Sequence, residues 1–367
     1  MSKVILMLSI LAFSTHSFAW GNRGHHTVCE AATYLVKDPG LRQFMTARSH
    51  MMGHLCNIPD IFWRGLGSDV TSLGNPTHYI DLEIIDLKIS DVPLDYRALI
   101  KSYEGTDNKM KPGVKIKSFS TEFGSLWWRA DQFYRRAVEA GVELKNEAPP
   151  KTSSEQQDQK LKYNQAGFRM LTSLGLMGHY VGDASMPYHT AYDYDGYSVG
   201  HGGVHVYYED EGVDAQEPNL VSEVVQAGKK MQHLKKTMPK FLSAESVLQK
   251  MRELSIVSVR DIEAVVAIDP VMTLSKIEKR PGGKEVRTAA LRKPISTVAQ
   301  KFKPLITAEI TRSAVLLAKI WDDAYEKMGK PDLSLYRSYQ YPLLPEFVPP
   351  DYFDVVKPAS APAPVAK

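Results

Sequence analysis

The stretch His179-Tyr-Val-Gly-Asp183-Ala-Ser-Met-Pro187-Tyr-His189 constrains this chain more than any other. It closes a long helical run and brings three side chains able to ligate a metal into eleven residues. The run begins near Gln159, and its spacing puts His179 and Asp183 at i and i+4, one turn apart on one face. Pro187 ends the helix, and the chain turns so that His189 can reach a neighbouring position. Imidazole and carboxylate suit zinc where thiolates are unreliable. A lone pair of this kind fits a packed or solvated helix face equally well, so further donors must decide.

Helical spacing recurs over Gly24–Lys37, Leu41–Met52, Phe119–Ala140, Leu220–Leu234, Ser243–Ile268 and Val298–Met328. This predicts an all-α, mostly helical fold with few short strands, the run Gly203–Tyr208 being the best strand candidate. Within Phe119–Ala140, residues Phe123, Trp127, Phe133 and Ala137 face a core and Arg129, Arg135 and Arg136 face outward. Residues 84–117 read as a long excursion with little regular structure, and Pro59-Asp60 and Pro76-Thr77-His78 as irregular connections between helices. Gly175, Gly178 and Gly182 cost helix propensity; their use is to let other parts of the chain approach the metal face closely.

Lys3, the apolar run Val4–Phe13 and Ser17-Phe18-Ala19 read as a secretory signal peptide cleaved between Ala19 and Trp20. The organisation expected is therefore a signal peptide (1–19), one catalytic domain (20–330) and a tail (331–367) that is extended or disordered. That tail holds eight of the 22 prolines. No stretch of 18 apolar residues follows, so a periplasmic or secreted monomer without membrane insertion is expected. A formal charge of +3 commits the chain to neither nucleic acid nor membrane. Cys29 and Cys56 allow at most one intramolecular disulfide.

Two more clusters supply donors. His205 and Glu209 stand at His-x-x-x-Glu spacing, with His201 as a spare. Trp20-Gly-Asn-Arg-Gly-His25 would begin the processed chain with a free α-amine. The reference pKa of such an amine, near ~8, allows it to ligate when neutral, beside its own carbonyl oxygen.

Taken in order, Trp20-Gly-x-x-Gly-His25, Pro59-Asp60, Thr77-His78-Tyr-Ile-Asp81, His179-x3-Asp183-x5-His189 and His205-x3-Glu209 resemble one superfamily. It joins the single-strand-specific extracellular nucleases of fungi and plants with the bacterial zinc-dependent phospholipases C, and the helix Arg312–Trp321 is similar to its closing helix. The resemblance implies a phospholipase C/nuclease-type helical fold with a cleft holding three zinc ions. One ion would take Asp60, His78, His179 and Asp183. A second would take the Trp20 amine and carbonyl, His25 and a bridging oxygen of Asp183. The third would take His189, His205 and Glu209. It further implies phosphodiester hydrolysis by a hydroxide held between two zinc ions, with the catalytic weight on Asp60 and Asp183. Asp81 would fix a ligand imidazole, and Arg64 would act as a phosphate-side cation, four residues after Asp60 where the family's arginine follows by three.

The substrate side divides. The short path from Trp20 to His25 is like the nucleases, whereas the short path from His189 to His205 and the terminal Glu209 are more like the phospholipases. Phe62, Trp63, Tyr188, Tyr192 and Tyr194 suit base stacking, an acyl groove or plain core packing. From Lys229 to Lys303 there are 17 Lys/Arg against seven Asp/Glu, a surface for nucleic-acid phosphates or anionic headgroups, or simply a solvated face. The expectation is a nuclease on single-stranded DNA or RNA, with a phospholipase C as the alternative and a zinc-stabilised binding protein as a third reading.

Overall fold

Lys162–Asp183 is a 22-residue helix whose second half, from Ser173 to Asp183, is buried on every side, so it must run into the centre of other helices. The computed structural model, which describes residues 20–234, 238–281, 285–337 and 340–354, places it there. Gly21–Leu35, Ser49–Ile61, Leu126–Asn146 and Ala299–Lys327 pack around it, and Leu220–Gln232 and Val247–Ser258 add outer helices. The fold is mostly helical, as the periodicity predicts; the strands among the described residues form two small antiparallel ladders within Val271–Arg292. The excursion 84–117 contains the short helix Tyr96–Tyr103 among turns.

Three local expectations change. Gly203–Tyr208 is not a strand: Gly203 takes φ 87°, a short helix Val204–Val206 follows, and it widens into a π-helical turn over Tyr207–Glu211. Tyr208 is buried there against Phe302 and Trp20, so packing overrides the strand preference of the Val-His-Val-Tyr-Tyr run. Pro59 and Asp60 lie inside the helix Ser49–Ile61 rather than in a connection; the proline removes one i→i−4 bond, and the helix ends two residues later.

Arg129 is buried instead of facing outward. Its guanidinium sits among the rings of Trp63, Phe133, Tyr180 and Phe347 and donates to Gln132 Oε1 and the Val348 carbonyl, both at 2.6 Å. The cover comes from the proline-rich segment, which returns across this helix without helix or strand over residues 340–354. Trp63 Nε1 donates to the Pro345 carbonyl at 2.9 Å, and Gln132 Nε2 to the Pro349 carbonyl at 2.7 Å. Residues 1–19, read as the signal peptide, and 355–367, the end of the tail, lie outside the described residues.

Cys29 and Cys56 form a disulfide with Cα atoms 6.2 Å apart, fastening the first helix to the helix that carries Asp60. It presses on Gly178, where an added Cβ would stand 2.1 Å from Cys29 Sγ. Gly178→Ala is therefore expected to lower the unfolding free energy by about 1–3 kcal/mol, in the range of an overpacked core. Gly65→Ala, with no atom near its added Cβ, should shift it by no more than about 0.5 kcal/mol. Urea unfolding of the two variants, run in parallel, checks this; equal midpoints would show that the contact is not tight.

Candidate metal centre

The eight predicted donor side chains, His25, Asp60, His78, His179, Asp183, His189, His205 and Glu209, are all buried and converge at the C-terminal end of the Lys162–Asp183 helix. His25 comes from the start of the first helix, and Asp60 from the last turn of Ser49–Ile61. His78 and His189 sit in separate 3₁₀ turns, Asn75–His78 and Pro187–Thr190. These turns are tied to each other: His189 Nδ1 bonds the His78 carbonyl, and the Ile80 N–H donates to the His189 carbonyl at 2.9 Å. His205 and Glu209 stand at i and i+4 where the helix passes into its π turn.

Asp183 faces both ways. Its Oδ1 lies 3.2 Å from His25 Nε2, and its Oδ2 lies 3.1 Å from His78 Nδ1 and 3.5 Å from His179 Nε2. Asp60 stands opposite, 3.8 Å from His78 Nδ1 and 3.9 Å from both His179 Nε2 and His25 Nε2. Glu209 is 2.9 Å from His205 Nε2 and 3.8 Å from His189 Nε2. The structure thus forms three groups able to hold a metal ion: His78–His179–Asp183, His25–Asp60–His179 and His189–His205–Glu209.

Trp20 is fully buried, with its indole Nε1 donating to the Gly182 carbonyl at 2.8 Å and to Ser185 Oγ at 3.2 Å. That anchorage aims its main-chain nitrogen at Glu209 Oε2, 2.9 Å away. The nitrogen therefore faces the carboxylate of the His189–His205 group, whereas the resemblance implies Asp183. The Trp20 carbonyl accepts from the His25 N–H at 3.3 Å.

Main-chain carbonyls, rather than Asp81, hold the Nδ1 atoms of three of the five imidazoles. Cys56 O lies 2.8 Å from His179 Nδ1, Tyr194 O lies 2.7 Å from His205 Nδ1, and His78 O holds His189 Nδ1. A proton on each Nδ1 leaves Nε2 as the ligating atom. Asp81 instead uses its main-chain N–H on the Phe123 carbonyl, and burial pushes its carboxyl well up.

Burial dominates the electrostatics. It raises Asp183 well above the usual carboxylate range, Glu209 to about 8 and Asp60 to about 6, the last opposed by the charges of Arg64 and His25. Burial likewise lowers His78 and His179 strongly, and His189 and His205 less. Neutral imidazole is the ligating form, and a bound cation would restore the carboxylates to their charged state. Asp183 Oδ1, Asp60 Oδ2, His189 Nε2 and His205 Nε2 are buried and have no hydrogen bond among the described residues. Other donors do meet, His78 Nδ1 lying 2.9 Å from His179 Nε2 and 3.1 Å from Asp183 Oδ2; a buried nitrogen and oxygen set of this kind suits borderline divalent ions.

Around these groups, Arg64 Nη2 lies 2.8 Å from Asp60 Oδ1 at the partly exposed rim. Asp210 was not singled out by sequence, because an i+1 neighbour of a ligand normally points elsewhere. The π turn brings its carboxylate against Gly21, where a Cβ would meet Oδ1 at 1.9 Å, and burial raises it to about 6. Of the aromatic candidates, Trp63 and Tyr188 are core residues, Phe62 and Tyr192 are partly buried, and Tyr194 is exposed with its ring 5.9 Å from that of His205. The basic region is not a single surface: Lys250, Arg292 and Lys303 are paired with Asp323, Asp269 and Glu223, and residues 235–237 and 282–284 lie outside the described residues. No protein-family model matches the chain, and no curated protein matches it.

The shifts set a pH signature for the metal-free protein. Buried carboxyls with raised pKa hold protons that the unfolded chain has released, so stability falls as pH rises toward about 8. Buried imidazoles with lowered pKa stay neutral while the unfolded chain takes up protons, so stability also falls below about 6.5. Chelator-treated protein should therefore melt at lower temperature at pH 8 than at pH 6.5, and zinc should abolish that difference. Identical melting curves with and without chelator at both pH values would show that the cluster holds no ion.

Proposed function

We propose that this chain is an exported zinc-dependent phosphodiesterase that holds three zinc ions among the donors described above, with His179 serving one of them, and hydrolyses single-stranded nucleic acid. The observation that carries the reading is the convergence of all eight side chains and the Trp20 nitrogen, drawn from six separate segments, onto one buried site. Zinc bound to such a donor set lowers the pKa of water and stabilises charge developing on phosphoryl oxygens.

The chain's own residues set the rest. Asp183 offers one oxygen to His25 and the other to His78 and His179, so it joins two of the groups and fixes their separation. Arg64 adds a fixed positive charge at the open rim, where it also meets Asp60. The exposed ring of Tyr194 beside His205 offers a face on which a base can stack. Removal of residues 1–19 would turn the Trp20 nitrogen, already aimed into the centre, from an amide into an amine able to ligate.

The alternative is a phospholipase C acting on phospholipid headgroups. One observation favours it: exposed aliphatic side chains crowd the hairpin Val271–Arg292 beside the His205 loop. Export would place either activity in a periplasm or outside the cell.

Two results test the reading. Asp183→Asn should reduce phosphodiester turnover at least ~100-fold, far more than Arg64→Ala, because the two Asp183 oxygens face donors of two groups while Arg64 stands at the rim; comparable losses would argue against the shared carboxylate. Protein processed to Trp20 and loaded with zinc should release nucleotides from single-stranded DNA or RNA and no diacylglycerol from phosphatidylcholine. A chain that keeps residues before Trp20 should bind less zinc. Diacylglycerol without nucleotides would establish the lipid reading in its place.

A further inference from the structure

The hairpin Val271–Arg292 stands out from the rest of the surface. Its two ladders pair Val271 with Arg292 and Thr273 with Leu291, then Lys276–Lys279 with Glu285–Thr288. It is fastened to the loop that leads into His205. The Ser275 N–H donates to the Gly200 carbonyl at 2.8 Å, the Gly202 N–H to Ser275 Oγ at 2.9 Å, and the Ala290 N–H to the Gly202 carbonyl at 2.9 Å. Arg292 donates to both oxygens of buried Asp269, at 2.7 and 3.0 Å, and Asp269 also meets His201 at 2.8 Å. The same loop supplies Tyr194 O and Asp195 Oδ1 to His205. The hairpin is thereby held rigidly against the wall of the His189–His205–Glu209 group.

Its exposed residues, with Ile277, Lys279 and Arg287 on one face of the second ladder and Lys276 on the other, combine two features. Met272, Leu274, Ile277 and Leu291, with neighbouring Val199, are between 44% and 61% exposed. Lys276, Lys279, Arg280, Arg287 and Lys293 are exposed among them, against Glu278 and Glu285. Cations alone would fit any polyanion. Aliphatic side chains separate the possibilities, because bases stack on aromatic rings and gain little from leucine, isoleucine or methionine. Aliphatic side chains flanked by lysine and arginine are what a surface needs to enter the boundary between headgroups and acyl chains of an anionic bilayer.

We infer that the hairpin Val271–Arg292 docks this protein on anionic phospholipid bilayers, with the His189–His205–Glu209 group held beside the lipid surface. The proposed contact is peripheral; no helix among the described residues is long and apolar enough to cross a membrane. It does not depend on which phosphodiester is cleaved.

The test is co-sedimentation of the full zinc-loaded chain with phosphatidylcholine vesicles, with and without phosphatidylglycerol. Running it on the unmodified protein and on Asp183→Asn reads binding apart from turnover and apart from the proposed activity. Two double variants accompany it: Ile277→Asp with Leu291→Asp, and Lys276→Glu with Lys279→Glu. Both spare the Asp269–Arg292 and Gly200 attachments, and unchanged melting temperatures would show that they fold. Binding to the anionic vesicles is expected to fall about tenfold or more in each double variant, and high salt should weaken it. Absence of sedimentation by the unmodified protein, or sedimentation of the folded variants equal to it, overturns the inference. So does loss, in the same variants, of binding to a single-stranded oligonucleotide when vesicles are not bound at all; the surface would then belong to nucleic acid.

Discussion

Close approach of three partners to one face of the Lys162–Asp183 helix is the constraint on which the rest of this molecule depends. Leu55, the Cys29–Cys56 disulfide and the His25 ring occupy the places where side chains at Gly175, Gly178 and Gly182 would project. These glycines cost helix propensity, yet without them the first helix and the Asp60 helix would stand farther from Asp183. The donor distances of roughly 3–4 Å follow from that packing. Packing also explains the disulfide's place directly behind the centre: it locks the two helices whose separation sets the reach of His25 and Asp60.

The same compression creates an electrostatic problem. Carboxyls and imidazoles drawn from distant segments are removed from water together, and burial drives each toward its neutral form. A folded chain keeps such a group only if something returns the lost stabilisation, and the unbonded donor atoms show that protein hydrogen bonds do not do so fully. Cations would. Arg64 supplies a share from the rim, where its charge opposes the rise of Asp60.

Legibility in the sequence follows the range of the forces involved. His179 and Asp183 were readable because helical spacing alone puts them on one face, and the remaining donors because residue type and order carry a resemblance. The long helices were readable from periodicity for the same local reason. What failed was set by contacts far along the chain. Arg129 reads as outward until the proline-rich segment, over 200 residues later, covers it and accepts its hydrogen bond. Gly203–Tyr208 reads as a strand until burial of Tyr208 against Trp20 and Phe302 decides for a helix. Asp81 reads as a partner for an imidazole, yet carbonyls from turns around the site take that place, and main-chain atoms carry no sequence signature. Asp210 was invisible because a π turn cannot be read from spacing.

Trp20 shows how one residue can unite these levels. Its indole is a large apolar group whose burial fixes position, and its single N–H donor finds the Gly182 carbonyl within the glycine-lined face. The positive φ of Trp20 and Gly21 then turns the main chain so that the nitrogen meets Glu209 while the first helix starts at once and delivers His25 to Asp183. A smaller residue at position 20 would keep the nitrogen but lose the anchor that aims it. Glu209 is thus reached from one side by Trp20 and from the other by His205, as Asp183 is reached by His25 and by His78. The two carboxylates play matching parts, each spanning donors brought from separate segments of the chain.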